Sequence, residues 1–251
     1  MITVRGGLTG ALRWVTRKLG FELVSYAGDG LPKDFDEGHR RVIGAVRAYT
    51  MTSPERLFGL IEGVRYVVRR DLPGAFVECG VYKGGSMMAI ALTLMELGVT
   101  DRDLYLYDTF EGMPEPTAED VDLHGIPASE RYERSQGDWL ACSEERVREA
   151  VLGTGYPEER VHFVAGKVED TIPKVAPQAI ALLRLDTDWY ASTLHELREL
   201  WPRVVASGVL IVDDYGHFAG ARQALDEYLE EAGERVLLGR LDYTGRMCVK
   251  G

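Results

Sequence analysis

Apolar residues recur along the chain in two rhythms, and their alternation predicts the architecture. Ser53 and Pro54 form an N-cap and first-turn signal, after which Leu57, Leu60, Ile61, Val64, Val67 and Val68 recur at helical spacing as far as Arg70. The run AFVECGV (75–81) reads as a buried strand, Ser86 to Leu97 as a helix ending at Gly98, and DLYLYD (103–108) as a second strand, which makes a βαβ unit. A helix from about Ser143 to Leu152 leads to the strand VHFVA (161–165). IALLRLD (180–186) and GVLIVDD (208–214) are further apolar strands, each ending in acidic residues and each followed by a helical pattern. RVLLGRL and RMCVK flank a turn-like Asp242-Tyr243-Thr244-Gly245, which predicts an antiparallel hairpin closing the sheet.

Two stretches fall outside this rhythm. Residues 1–50 carry Gly6, Gly7, Gly10, Gly28, Gly30 and a Leu31-Pro32 break, as expected of an N-terminal extension of short helices and loops. Phe110 to about Gly137 is rich in Pro, Gly and acidic residues and longer than a connection needs, the length of a functional lid. The whole predicts one α/β domain over 51–251, with a mostly parallel sheet covered on both faces and ligands beyond the carboxyl ends of its strands. Those ends are Glu78 to Gly80, Asp108, Gly166, Asp186 to Asp188 and Asp213 to Asp214.

Composition narrows the classes. At 251 residues the chain suits one well-packed domain, and 45% hydrophobic with 27% charged residues excludes wholesale disorder. A net charge of -11 argues against nucleic acid as a partner, because phosphate neutralisation needs clustered Lys and Arg. Cys79, Cys142 and Cys248 have no metal-ligand spacing and suit reduced thiols in a cytoplasmic protein, with Cys79 a small core residue. The N-terminus, with Arg5, Arg13, Arg17 and Lys18, lacks the apolar run of a signal peptide or stable membrane insertion and reads as a solvated surface helix.

The chemistry begins at Glu78-Cys79-Gly80-Val81-Tyr82-Lys83-Gly84-Gly85-Ser86, where glycines lie between a strand and a helix. An acid at the strand end repels a pyrophosphate and suits a ligand with a cationic amino group or sulfonium, so S-adenosylmethionine fits and NAD fits poorly. Asp108 ends the next strand, the place from which a carboxylate takes both ribose hydroxyls; a turn cap is its alternative role.

Asp186, Asp188, Asp213 and Asp214 are the strongest chemical signal, because each ends or follows an apolar strand where an unpaired charge is costly. Something positive must compensate them. Oxygen-only ligands favour Mg²⁺, Mn²⁺ or Ca²⁺. Helix capping is the competing reading: Asp188 for a helix near Tyr190, Asp214 for one after Gly220. His217 faces the expected cleft and could orient substrate or act as a base. His124 lies in the long loop, His195 in a charged helical stretch expected to be exposed, and His162 in an apolar strand as a core residue.

With these residues in view, the chain resembles the macrocin-type sugar O-methyltransferases of mycinamicin, tylosin and novobiocin tailoring. The resemblance covers roughly residues 48–230 and rests on Tyr49-Thr50-Met51, Phe76 to Gly85, Asp108 to Pro114, Gly166 to Pro173, Leu183 to Asp188, and Val212 to Tyr215. It implies a class I methyltransferase (Rossmann-like) fold with a seven-stranded sheet, S-adenosylmethionine as cofactor, and Mg²⁺ (or Mn²⁺) held by Asp186, Asp213 and Asp214. Asp188 matches the general base, and the cofactor contacts fall on Thr50, Met51, Glu78, Gly80, Tyr82, Gly85, Ser86, Asp108, Thr109, Gly166, Asp170 and Asp186. Thr50 and Met51 match a segment that folds over the cofactor, and the family implies a homo-oligomer whose N-terminal region acts as a lid. The acceptor it implies is a small-molecule glycoside. A phenol or catechol acceptor would use the same acids; a non-catalytic S-adenosylmethionine-binding protein would leave the aspartates unexplained, and a metal-dependent hydrolase would leave Glu78 and Asp108 so.

Overall fold

The computed structural model describes residues 12, 14–19, 28–135 and 139–251. Gly6, Gly7, Gly10, Arg5, Arg13 and Gly137 lie outside the described residues. Residues 1–40 and 41–251 form two compact units, with residues 14–18 of the first helical. Helix α1 (Glu37–Val46) crosses the boundary. No described helix is long and apolar enough to cross a membrane.

The second unit alternates as its sequence predicts. After α2 (Pro54–Arg69) come β1 (Ala75–Cys79), α3 (Gly85–Glu96) and β2 (Leu104–Asp108), then α4 (Ala128–Arg134), α5 (Glu144–Leu152), β3 (Val161–Ala165) and α6 (Val168–Thr171). β4 (Ile180–Leu185), α7 (Tyr190–Leu200), β5 (Val204–Val212), α8 (Ala219–Glu231), β6 (Gly239–Arg240) and β7 (Arg246–Val249) complete it. Ser53 is the N-cap of α2, its hydroxyl accepting from Arg56 N at 3.1 Å, with Pro54 at the first turn where a missing N–H costs nothing.

The strands form one seven-stranded sheet in the order β3-β2-β1-β4-β5-β7-β6. β1 to β5 run parallel, and β7 pairs antiparallel with β5 and β6. The closing hairpin is shorter than its sequence suggests, since only Gly239 and Arg240 pair with β7. β5 is longer, beginning at Val204 before a register shift against β4.

The two faces of the sheet carry different chemistry. Val77 and Cys79 of β1, Leu183 and Leu185 of β4, and Leu210 and Val212 of β5 join Leu194, Leu197 and Leu200 of α7 and Ala224 and Leu225 of α8 in one apolar core. Alternation along the strands sends Phe76, Glu78, Leu182 and Arg184 to the other face, under α2 and α3. Strand order reverses between β1 and β4, so a crevice opens at their carboxyl ends.

Candidate active site

A cavity of about 690 Å³ fills that crevice. Thr50, Met51, Glu78, Gly80, Tyr82, Ser86, Asp108, Thr109, Gly166, Asp170, Asp186, Asp188, Asp213, Asp214 and His217 all line it. Gly85 does not line it. As the first residue of α3 it donates its N–H to Tyr49 O at 3.2 Å, and a Cβ there would stand 2.6 Å from that of Thr50, so Gly85 seats the 49–50 segment. His124 is exposed and apart from the cavity. His195 is half-buried on Ile172 O at 3.0 Å rather than exposed, and His162 meets Asp103 at 3.1 Å on the sheet edge rather than in the core.

At the tip of β1, Gly80 turns the chain at φ 81°, and a Cβ there would lie 2.1 Å from Asp186 O. The close approach packs the tip of β1 on the tip of β4. Asp108 braces the glycine turn: its Oδ2 accepts from Val81 N at 2.6 Å and Tyr82 N at 3.0 Å, and its Oδ1 from Phe110 N at 2.8 Å. Its carboxylate therefore has the turn-capping role as well as a place on the cavity wall.

The positive charge that the buried acids require comes first from the chain itself. Arg184, fully buried in β4, donates Nη1 to Glu78 Oε1 at 2.6 Å and to Asp186 Oδ2 at 2.8 Å. Its Nη2 donates to Asp213 Oδ1 at 2.6 Å and Thr52 Oγ1 at 3.1 Å. Arg56 takes the other oxygen of Asp213 and reaches Asp242 Oδ2 at 3.0 Å, while Ser53 Oγ donates to the same Asp242 oxygen at 2.6 Å. Burial still pushes the Glu78 carboxyl up to about 7 against the pull of Arg184. Glu78 Oε2 is buried without a hydrogen-bond partner, as suits a carboxylate awaiting a cationic ligand.

Asp213 is thus held by two arginines. The acids that gather are Asp186, Asp188 and Asp214, each offering an oxygen within 4.8 Å of the others. Burial, and then the neighbouring Asp214, drive the carboxyls of Asp186 and Asp188 well above the usual range. Asp214 Oδ2 is buried with no hydrogen-bond partner. Crowded like charges, an orphaned oxygen and an oxygen-only donor set fit a divalent cation. Capping does not occupy the pair: Trp189 and Phe218 are the N-cap residues of α7 and α8 and give no side-chain cap, and Tyr190 N is served by Asp120 Oδ1 at 3.2 Å.

One wall of the cavity is aromatic. Trp139, Trp189 and Phe218 pack edge to face in series, and His217 stands on Phe218 at 4.5 Å. The long loop is latched beside them by main-chain bonds, Leu123 N to His217 O at 3.1 Å and Ala219 N to Val121 O at 2.9 Å, and Trp189 Nε1 donates to Pro114 O at 3.1 Å. Arg184, Arg56 and this aromatic wall were not singled out from the sequence. For Arg184 a signal existed: a lone arginine inside an apolar strand needs a buried acid beside it.

A parallel sheet with an antiparallel last strand, a glycine turn after β1 and acids at the strand tips are the architecture of a class I methyltransferase fold. The family described as Macrocin-O-methyltransferase (TylF) matches residues 31–249. The chain is 35% identical over 198 residues to the 8-demethyl-8-(2,3-dimethoxy-alpha-L-rhamnosyl)-tetracenomycin-C 4'-O-methyltransferase of Streptomyces olivaceus, covering 79% of this chain and 74% of that one. It is 34% identical to the demethyldecarbamoylnovobiocin O-methyltransferase of Streptomyces niveus, with 72% and 68% covered. The structure of the O-methyltransferase NovP superposes with a TM-score of 0.73 at 30% identity, over 80% of this chain and 82% of that one. The protein belongs to the macrocin O-methyltransferase family.

Proposed function

We propose that this enzyme moves the methyl group of S-adenosylmethionine to a sugar hydroxyl of a glycosylated small molecule, with a divalent ion at its strand-tip acids. The observation that carries the reading is the meeting of Asp186, Asp188 and Asp214 beside an orphaned Asp214 oxygen, at the junction of the Glu78 pocket and the aromatic wall. The names of its relatives, which act on rhamnosyl-tetracenomycin and novobiocin precursors, support a glycoside acceptor.

Glu78 offers its free oxygen to the cofactor ammonium, Asp108 faces the ribose, and Thr50 and Met51 close over the ligand from the segment seated on Gly85. Asp186 and Asp214 would hold the ion, which would supply a Lewis acid able to lower the pKa of an acceptor hydroxyl. Asp213 stays behind them as the anchor of Arg56 and Arg184. Asp188 accepts the proton as the acceptor oxygen bonds to the methyl carbon and the carbon–sulfur bond breaks, leaving a neutral thioether. His217, at the cavity wall beside Phe218, orients the acceptor.

The test is a methyl-transfer assay with labelled S-adenosylmethionine against rhamnosyl and other deoxysugar glycosides, their aglycones and simple catechols, with and without Mg²⁺. Ion-dependent methylation of glycosides only is the expected result. Transfer to catechols alone would replace the sugar acceptor with a phenol, and full turnover in chelator would remove the ion.

A further inference from the structure

Glu196 is a buried acid that the proposed chemistry does not use. It sits on α7 with no exposed surface, and among the described residues no Lys, Arg or His pairs with it. Its carboxyl receives the Thr187 hydroxyl, Oγ1 lying 3.0 Å from Oε1 and 3.2 Å from Oε2, and the Cys79 thiol lies beside it. Burial pushes this carboxyl well above the usual carboxylate range, while the Thr187 hydroxyl pulls it back.

Thr187 stands between Asp186 and Asp188, with its hydroxyl turned to the α7 side of the sheet. The next residue, Asp188, is at φ 67°, in the left-handed region that L side chains rarely adopt. Such a conformation persists where the surrounding structure over-determines it. On one side Trp189 is fixed through Nε1 on Pro114 O at 3.1 Å, through its own N–H on Thr187 O at 2.8 Å, and through its carbonyl, which accepts from Thr193 N at 3.1 Å. On the other side the side-chain anchor is Glu196.

We propose that Glu196 is the positioning residue for Asp188, acting through the Thr187 hydroxyl to keep the base in its left-handed conformation on the acceptor side. This rests on the reading of Asp188 as the base.

The experiment compares Glu196→Gln, Glu196→Leu, Thr187→Val and the Leu/Val double variant in the full chain. Readouts are kcat, acceptor KM, adenosylhomocysteine Kd and a crystal structure of each variant. Misplacing a reacting group by about 1 Å costs about 10²-fold, so Glu196→Leu and Thr187→Val should each lower kcat by about that factor while the adenosylhomocysteine Kd holds within about threefold. Glu196→Gln keeps the acceptor oxygen and should retain the rate, and the double variant should be no worse than either single one. In the crystals of the slow variants Asp188 should leave the left-handed region. Equal loss in Gln and Leu variants, additive losses, or an unmoved Asp188 would overturn the role. Should Glu196→Leu not fold, Thr187→Val decides alone. A wild-type enzyme without transferase activity would instead sink the reading of Asp188 as a base, and the crystallographic conformation of Asp188 would still decide whether Glu196 positions it.

Discussion

Glu78 and Arg184 are register neighbours on the parallel strands β1 and β4, and Arg184 Nη1 donates to Glu78 Oε1 at 2.6 Å with both side chains almost wholly buried. One guanidinium joins the cofactor acid to Asp186 and Asp213. Removing it leaves buried carboxylates without their cation, so Arg184→Met should lose about 3–5 kcal/mol in denaturant unfolding. Arg184→Lys keeps the charge but lacks the planar fork that serves four acceptors, and should fall between. A wild-type midpoint for Arg184→Met would refute the hub.

Glu78 sets a pH dependence. Its folded-state pKa of about 7 stands above the ordinary value of 4.5. A raised carboxyl contributes stability that is fully present below pH 4.5 and is lost as pH rises through about 7, so the apoprotein should lose stability across that window and Glu78→Gln should flatten the loss. Cofactor binding runs the opposite way, because an ammonium needs the ionised acid. Calorimetric titration of adenosylhomocysteine at pH 6 and pH 8 should show tighter binding at the higher pH, a difference absent from Glu78→Gln.

The neighbours Asp213 and Asp214 should separate in function. Asp214 carries the orphaned oxygen, so Asp214→Asn should abolish Mg²⁺ binding and turnover yet leave adenosylhomocysteine affinity intact. Asp213 anchors two arginines, and Asp213→Asn should cost about 3–5 kcal/mol of stability, with a smaller effect on Mg²⁺ affinity than Asp214→Asn. Titration of Mg²⁺ into each variant, beside an unfolding curve, reads both effects.

The two glycines differ as well. At Gly80 an added Cβ meets Asp186 O at 2.1 Å in a left-handed backbone, and Gly80→Ala should lose about 3 kcal/mol or more. At Gly85 the obstruction is Thr50 and Tyr49 O, so Gly85→Ala should displace the covering segment and weaken adenosylhomocysteine about tenfold, about 1.4 kcal/mol, with the fold retained. An unchanged Kd would detach the 49–50 segment from the cofactor.

The architecture was legible because strands read on period two and helices on period 3.6, and because the topological reversal sends ligands to the strand tips. That is why Glu78, Asp108, Asp186 and Asp214 could be placed on one cavity before their side chains were seen. Partnership was less legible. The demand for a cation beside the aspartates was plain in the sequence, but its first answer, Arg184, depends on the register of β4 against β1, and Arg56 depends on how α2 crosses the sheet. No local spacing encodes either. The aromatic wall was hidden for the same reason: Trp139, Trp189 and Phe218 come from three separate loops.

The long loop before α5 is fastened by main-chain atoms at Val121, Leu123, His217 and Ala219. Carbonyl and amide groups are the same in every residue, so this fastening is indifferent to which side chains the loop displays. Apart from Asp120, whose carboxylate accepts from Tyr190 N at 3.2 Å, a change of side chain along the loop leaves these main-chain bonds in place. Attachment of the loop and the chemistry of the surface it displays thus fall largely to different atoms of the same chain.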